Sequence, residues 1–254
     1  NGLVRMPSYF ISAYKSFVDN GWFSVIGDEK FGGQDFPWSV LVLINEIWEA
    51  TNMSFAVNNM LTQGAIELIQ EHGNESQKNL YLPNLISGKY SGTMNLTEPH
   101  AGSDLSDLKT KATIKNDKYS IKGTKIYITH GDQDMSENII HMVLARLPDA
   151  PEGNRGISLF LVPKYYDDEN GNKVKNDIKV VSIEHKLGHN ASPTCVLSFG
   201  ENNECIGELI GEPNCGLKAM FTMMNNARLN VGVQGVAISE RSYQRALSFA
   251  RDRK

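Results

Sequence analysis

The stretch KATIKNDKYSIKGTKIYIT (residues 111–129) changes the texture of the chain. β-Branched residues and tyrosine alternate with lysine, the period-2 pattern of a half-buried strand. Asn116-Asp117 supplies hairpin chemistry, because both residues tolerate the left-handed region that a tight turn needs. Gly123 suggests a second turn, so the stretch reads as strand, turn, strand, turn, strand. Outward from it, ENIIHMVLAR (137–146), GISLFLVPK (156–164), IKVVSIE (178–184) and PTCVLSFG (193–200) have the same short, β-branched character. With Asn170-Gly171 as a further hairpin turn, these segments predict a small antiparallel β-barrel or sandwich over residues 92–208.

Both flanks read as helix. Val40, Leu41, Ile44, Ile47 and Trp48 recur at helical spacing behind Pro37, which suits a first turn, with Asn45, Glu46 and Glu49 on the other side. Met60, Leu61, Ile66, Leu68 and Ile69 form a second run that ends at His72-Gly73. Asn74 and Gln77 have capping-box spacing ahead of Leu80, Leu82, Leu85 and Ile86, and Pro83 should kink or shorten that helix. After Pro213, two long helical segments are predicted, one to about Arg228 and one still running at Lys254. A pair of helices cannot bury both apolar faces alone. The expected fold is therefore α+β and multidomain: residues 1–91 an N-terminal helical domain, 92–208 the β domain, and 209–254 the first helices of a truncated C-terminal helical bundle.

Composition narrows the function classes. At 41% hydrophobic and 21% charged residues the 254-residue chain is ordinary for a soluble globular protein. No apolar run approaches the ~20 residues of a membrane span, so no membrane is expected as partner. Cys195, Cys205 and Cys215 form neither a disulfide framework nor a zinc pattern, which points to a reducing, cytoplasmic setting. The net charge is −4, yet residues 209–254 carry seven basic and three acidic side chains. That excess suits a solvated helix face or a phosphate-bearing ligand. The acidic total argues against nucleic acid.

No G-x-G-x-x-G, Walker A loop or nucleophile elbow is present. DDENGNKVKND (167–177) puts Tyr166 where a calcium ligand should begin, and His185 and His189 share no helix face, so no metal site is expected. NLTEPHAGSD (95–104) is richer. Pro99 ends the strand that Met94 to Thr97 begin, and Ala101-Gly102-Ser103 offers successive backbone N–H groups beside the Thr97 and Ser103 hydroxyls. Two readings fit: a polar turn satisfying its own backbone, or a cradle for a planar, acceptor-rich ligand. KGTKIYITHG (122–131) then presents Tyr127, Thr129 and His130 at a strand end.

Together, Thr97-Glu98-Pro99 with Ala101-Gly102-Ser103-Asp104, followed by Lys125-Ile126-Tyr127-Ile128-Thr129-His130-Gly131, resemble the acyl-CoA dehydrogenase family. The resemblance extends to Phe31-Gly32-Gly33, ESQKNLYLPNLISGKY (75–90), GEPNCGLKAMF (211–221) and the helix that follows. ENIIHMVLARLPDAP (137–151) and HKLGHNASPTCVLSFG (185–200) are similar to the branch that includes 3-methylmercaptopropionyl-CoA dehydrogenase. It implies FAD as cofactor, an acyl-CoA substrate, an electron-transfer flavoprotein as acceptor, and a homodimer or homotetramer. Leu96 and Thr97 would meet the flavin ring edge. Gly102 and Ser103 would line the FAD diphosphate and the thioester. Tyr127 stands where the family usually carries tryptophan against the ring, with Ile128 and Thr129 continuing that wall. Arg228 and Ser103 would contact substrate, as would Asn225, which stands where some members carry an acid. Glu98 has a structural role in the family motif, and the catalytic carboxylate is expected C-terminal to Lys254. Acyl-CoA oxidases, flavin monooxygenases and DNA-binding alkylation-response flavoproteins share the fold.

Overall fold

The computed structural model describes residues 3–253. α1 (Ser8–Asp19) buries Phe10 and Tyr14, and the Tyr14 hydroxyl donates to the Gly88 carbonyl at 2.7 Å. α2 (Trp38–His72) starts after Pro37, which caps it from outside rather than occupying its first turn. The helix breaks at Asn52 (φ −154°, ψ 90°), whose side-chain oxygen accepts from the Phe55 N–H and so caps the second arm. A straight helix would hold Trp38 and Glu67 about 43 Å apart. Yet the Trp38 indole lies against the Glu67 carboxyl group, so the two arms fold back as a helical hairpin. The predicted end at His72-Gly73 is observed. α3 (Glu75–Ile86) has both bonds of the Asn74–Gln77 capping box, and it runs through Pro83 to stop at Ile86.

Ten strands follow: β1 (Tyr90–Asn95), β2 (Lys111–Lys115), β3 (Lys118–Thr129), β4 (Asn138–Arg146), β5 (Ile157–Pro163), β6 (Tyr165–Asp167), β7 (Lys173–Lys175), β8 (Ile178–Ile183), β9 (Thr194–Phe199) and β10 (Ile206–Ile210). The main sheet runs β1-β4-β5-β10-β3-β9-β8. β2 pairs with β3 along its length and meets β4 at Lys111–Arg146, which closes β4, β5, β10, β3 and β2 into a ring. Ile121, Val143, Phe160, Val162, Leu197 and Phe199 fill it. β6 and β7 form the separate hairpin turned by Asn170-Gly171.

Three expectations about the sheet are corrected. It is not wholly antiparallel: β1 lies parallel to β4, because the chain runs out and back through β2 and β3 before returning in the direction of β1. β1 also stops at Asn95, short of Thr97. There is no turn at Gly123, and β3 passes straight through it. The glycine serves close approach instead, since a Cβ there would lie 2.3 Å from Thr110 Oγ1 and 2.8 Å from Thr110 Cα. Asn116 and Asp117 do make the predicted turn, both with positive φ (46° and 61°).

The C-terminal segments form one helix rather than two. α4 (Gly216–Asp252) continues past Arg228 without a break. Gly232 and Gly235 meet open space, and their propensity cost of about 1 kcal/mol each does not interrupt so long a hydrogen-bonded run. α4 lies along the α2 hairpin. No helix among the described residues is long and apolar enough to cross a membrane.

Gly123→Ala tests the close crossing. We expect it to lower unfolding free energy by about 1–3 kcal/mol in urea titrations; an unchanged midpoint would contradict the packing described.

Candidate functional site

The loop after β1 is shaped by a carboxylate. Glu98 and Ala101 exchange backbone hydrogen bonds (2.8 and 3.1 Å), closing a tight turn over Pro99 and His100. The Glu98 side chain is 3% exposed. Its oxygens accept from the backbone N–H of Lys109 (2.7 Å) and Thr110 (3.1 Å) and from the Thr110 hydroxyl (2.5 Å). Lys125 completes the set. Its ammonium, fully buried on β3, donates to Glu98 Oε1 at 2.8 Å and to the Leu96 carbonyl at 2.9 Å. One ion pair thus ties the loop, the segment before β2 and the middle of β3.

The electrostatics follow from that geometry. Burial by itself would raise the Glu98 carboxyl. The Lys125 charge, with the hydrogen bonds from Lys125, Thr110 and the Lys109 backbone, overcomes it and holds the group below the ordinary carboxylate value. Burial pushes the Lys125 ammonium down to about 8 despite Glu98. Glu98 is therefore a committed acceptor with no oxygen turned to an open site.

The ion pair delivers Leu96 and Thr97 to β3, where the Ile126 N–H donates to the Thr97 carbonyl at 2.9 Å. Immediately beyond, β3 is distorted. Its register against β9 shifts between Lys125 and Ile128. Tyr127 and His130 both have positive φ (59° and 49°), uncommon for any side chain and a strained choice for a bulky one. This double irregularity turns Ile128 into the barrel core at 2% exposed and pushes the Tyr127 ring out to 61% exposed. Thr129 lies half-buried between. His130 is fully buried, and burial pushes its imidazole down to about 4, so it is neutral.

The predicted site residues thus fall into two groups. Leu96, Thr97 and Gly102 sit against one another and against β3: a Cβ on Gly102 would be in ordinary contact with the Thr97 methyl at 3.5 Å. Gly102 and Ser103 are exposed, and their backbone N–H groups make no turn or loop hydrogen bond among the described residues. Asp104 caps the next turn by accepting from Ser106 N at 2.9 Å. Asn225 and Arg228 instead pair with each other on α4, Arg228 Nη1 donating to Asn225 Oδ1 at 2.9 Å, with the guanidinium 5.5 Å from the Phe221 ring centroid. No hydrogen bond joins this pair to the loop among the described residues. Lys125 is the residue that motif reading passed over. A signal existed, since the alternation that buries Ile121 also points Lys125 inward.

Unclaimed backbone donors, two hydroxyls and an outward aromatic face suit a planar, acceptor-rich group of flavin type. The strain is testable. Tyr127→Val should cost about 1–2 kcal/mol, because a β-branched residue is worst in the left-handed region, while Tyr127→Gly should cost nothing; chemical denaturation showing the valine variant as stable as the parent would remove the strain argument. Glu98→Gln leaves Lys125 a buried, unpaired cation and should destabilise by about 3–5 kcal/mol. Because the folded carboxyl is depressed, its contribution is present above about pH 4.5 and lost as pH falls below that. The variant's stability should then depend less on pH in that acid range, as read from urea midpoints.

The chain matches two family models: the acyl-CoA dehydrogenase N-terminal domain over residues 5–89 and the acyl-CoA dehydrogenase middle domain over residues 93–201. It is 51% identical to 3-methylmercaptopropionyl-CoA dehydrogenase of Ruegeria pomeroyi over 100% of this chain and 43% of that protein. It is 38% identical to a butyryl-CoA dehydrogenase of Syntrophomonas wolfei, over 98% of this chain and 42% of the relative. The chain therefore spans less than half the length of these relatives. Among solved structures, the glutaryl-coenzyme A dehydrogenase glutaryl-CoA complex superposes with a TM-score of 0.80 at 25% identity, covering 95% of this chain and 58% of that one. A helical hairpin, a ring-closed β domain, the Thr97–Asp104 loop tied to β3 and matches to both models place this chain in the acyl-CoA dehydrogenase family.

Proposed function

We propose that this chain forms the flavin-site portion of an FAD-dependent acyl-CoA dehydrogenase, which converts an acyl-CoA thioester to its trans-2-enoyl-CoA and hands electrons to an electron-transfer flavoprotein. The observation that carries the reading is the distortion of β3 at Tyr127, which turns that ring outward directly beside the Lys125–Ile126 segment hydrogen-bonded to Leu96 and Thr97. Leu96 and Thr97 would hold the ring edge through backbone and hydroxyl. Tyr127, the Ile128 backbone and Thr129 would form its wall. Gly102 and Ser103 would serve the diphosphate and the thioester, and Arg228 with Asn225 would meet the acyl-CoA. Bound FAD supplies the hydride acceptor that the side chains lack. The chain's own residues would bind and orient, and Glu98 is not offered as base, since Lys125, Thr110 and Lys109 occupy its oxygens. The reading carries with it the division at residues 91 and 208, a homodimer or homotetramer, and a cytoplasmic setting. The similarity to a 3-methylmercaptopropionyl-CoA dehydrogenase supports a short thioether acyl chain as substrate.

The test uses the full-length protein loaded with FAD and a panel of short acyl-CoAs, thioether ones included. Anaerobic bleaching of the flavin absorbance is expected, with reoxidation by an electron-transfer flavoprotein. Failure of every acyl-CoA to bleach it would sink the proposal, and rapid reoxidation by oxygen alone would replace the dehydrogenase with an oxidase.

A further inference from the structure

A helix seated in a groove between two others should present an apolar stripe. α4 does not. Thr222, Asn226, Asn230 and Gln234, spaced one turn apart, face the α2 hairpin. Each has a partner there. The Thr222 hydroxyl donates to Glu71 (3.1 Å), and Asn226 Nδ2 to Glu67 (2.8 Å). Asn45 Nδ2 donates to Asn230 Oδ1 (2.6 Å), and Asn230 Nδ2 to Asn226 Oδ1 (2.8 Å). Gln234 Nε2 donates to Glu49 Oε1 (3.0 Å). The central members are deeply buried: Asn230 is 1% exposed and Glu49 is 3% exposed.

We infer that the chain Asn45–Asn230–Asn226–Glu67 sets the rotation and register of α4, with Asn230 as its central positioning residue, and thereby the side on which Arg228 and Asn225 stand. The apolar part of the contact cannot do this alone. Its buried members on α4 are Ala219, Met220, Met223, Val233 and Ala237, with Met223 seated over Gly64. All but Val233 are small or unbranched, and such side chains adapt to several arrangements. Hydrogen bonds do not. Turning α4 by one residue, about 100°, would bring Ala227, Val231 and Gly235 to face Glu67, Asn45 and Glu49. Sliding it by one turn would set Ile238 against Glu49. Either change strands buried polar groups, each costing about 1–3 kcal/mol. Buried polar pairs that select one register among near-equal packings are the best-attested use of such groups. Arg228 and Phe221 lie on the face opposite Asn226, so they move with any rotation. The inference rests on the proposed function only in giving Arg228 a task.

The chain has three tryptophans, Trp22, Trp38 and Trp48, and Trp38 lies against Glu67 at the end of this polar chain. Fluorotryptophan labelling and ¹⁹F NMR therefore read the seam without flavin or acyl-CoA, so this result stands apart from the fate of the functional proposal. The variant is Asn45→Leu with Asn230→Leu, which removes both amides at similar volume. The expected result is a melting temperature at or above the parent's, a Trp38 line that splits or broadens, and an unmoved Trp22 line. A single Trp38 line at the parent position would overturn the inference. Should the double variant not fold, Asn45→Ala opens only one end of the chain: Trp38 splitting again supports the inference, and an unchanged line overturns it.

Discussion

A charge that cannot leave the interior organises the centre of this molecule. Lys125 is fully buried in β3, and an ammonium taken from water is costly unless it is paired and hydrogen-bonded. Glu98 and the Leu96 carbonyl meet that demand. In doing so they fix where the loop after β1 runs. Glu98 in turn gathers the N–H groups of Lys109 and Thr110, so the approach to β2 is fixed by the same carboxylate. Three segments far apart in sequence are held by one pair. Among the described residues, the Thr97 hydroxyl and the Gly102 and Ser103 N–H groups are left unencumbered, because the inward groups are saturated.

The same division of labour recurs at β3. The residues before Tyr127 keep the strand in its ladder, and the irregularity beyond Lys125 takes the chain out of register. A tyrosine in the left-handed region is not what local preference selects. It persists because Ile128 buried on one side and the Lys125–Glu98 pair on the other over-determine the backbone between them. Strain is thereby held at two residues, the outward Tyr127 and the buried His130. The α2–α4 contact works by a related rule. There, polar partners rather than volume distinguish one arrangement from its neighbours.

Much of the fold was legible before any coordinates. Asn74 and Gln77 mark a helix start whose mechanism is wholly local, as do Asn116-Asp117 and Asn170-Gly171 for their turns. Gly123 was misread as a turn because a glycine in a strand has two meanings. The second, close approach of Thr110, depends on a segment that sequence spacing does not place. Asn52 escaped notice for a similar reason, since an asparagine inside an apolar helical pattern does not announce that the chain reverses there. The parallel pairing of β1 with β4 is a property of topology and has no local signal.

At the site, the residue types in NLTEPHAGSD and KIYITHG are sequence properties, and they suffice for a family. That Glu98 faces Lys125 rather than an open cleft is not. Two motif members, Glu98 and Asp104, are both acids, yet one is buried in an ion pair and the other caps an exposed turn. Local propensity, capping and motif identity are encoded within a few residues and could be read directly. Burial, pairing of distant charges and the face that α4 turns toward α2 depend on long-range contacts, and only the tertiary structure decided them.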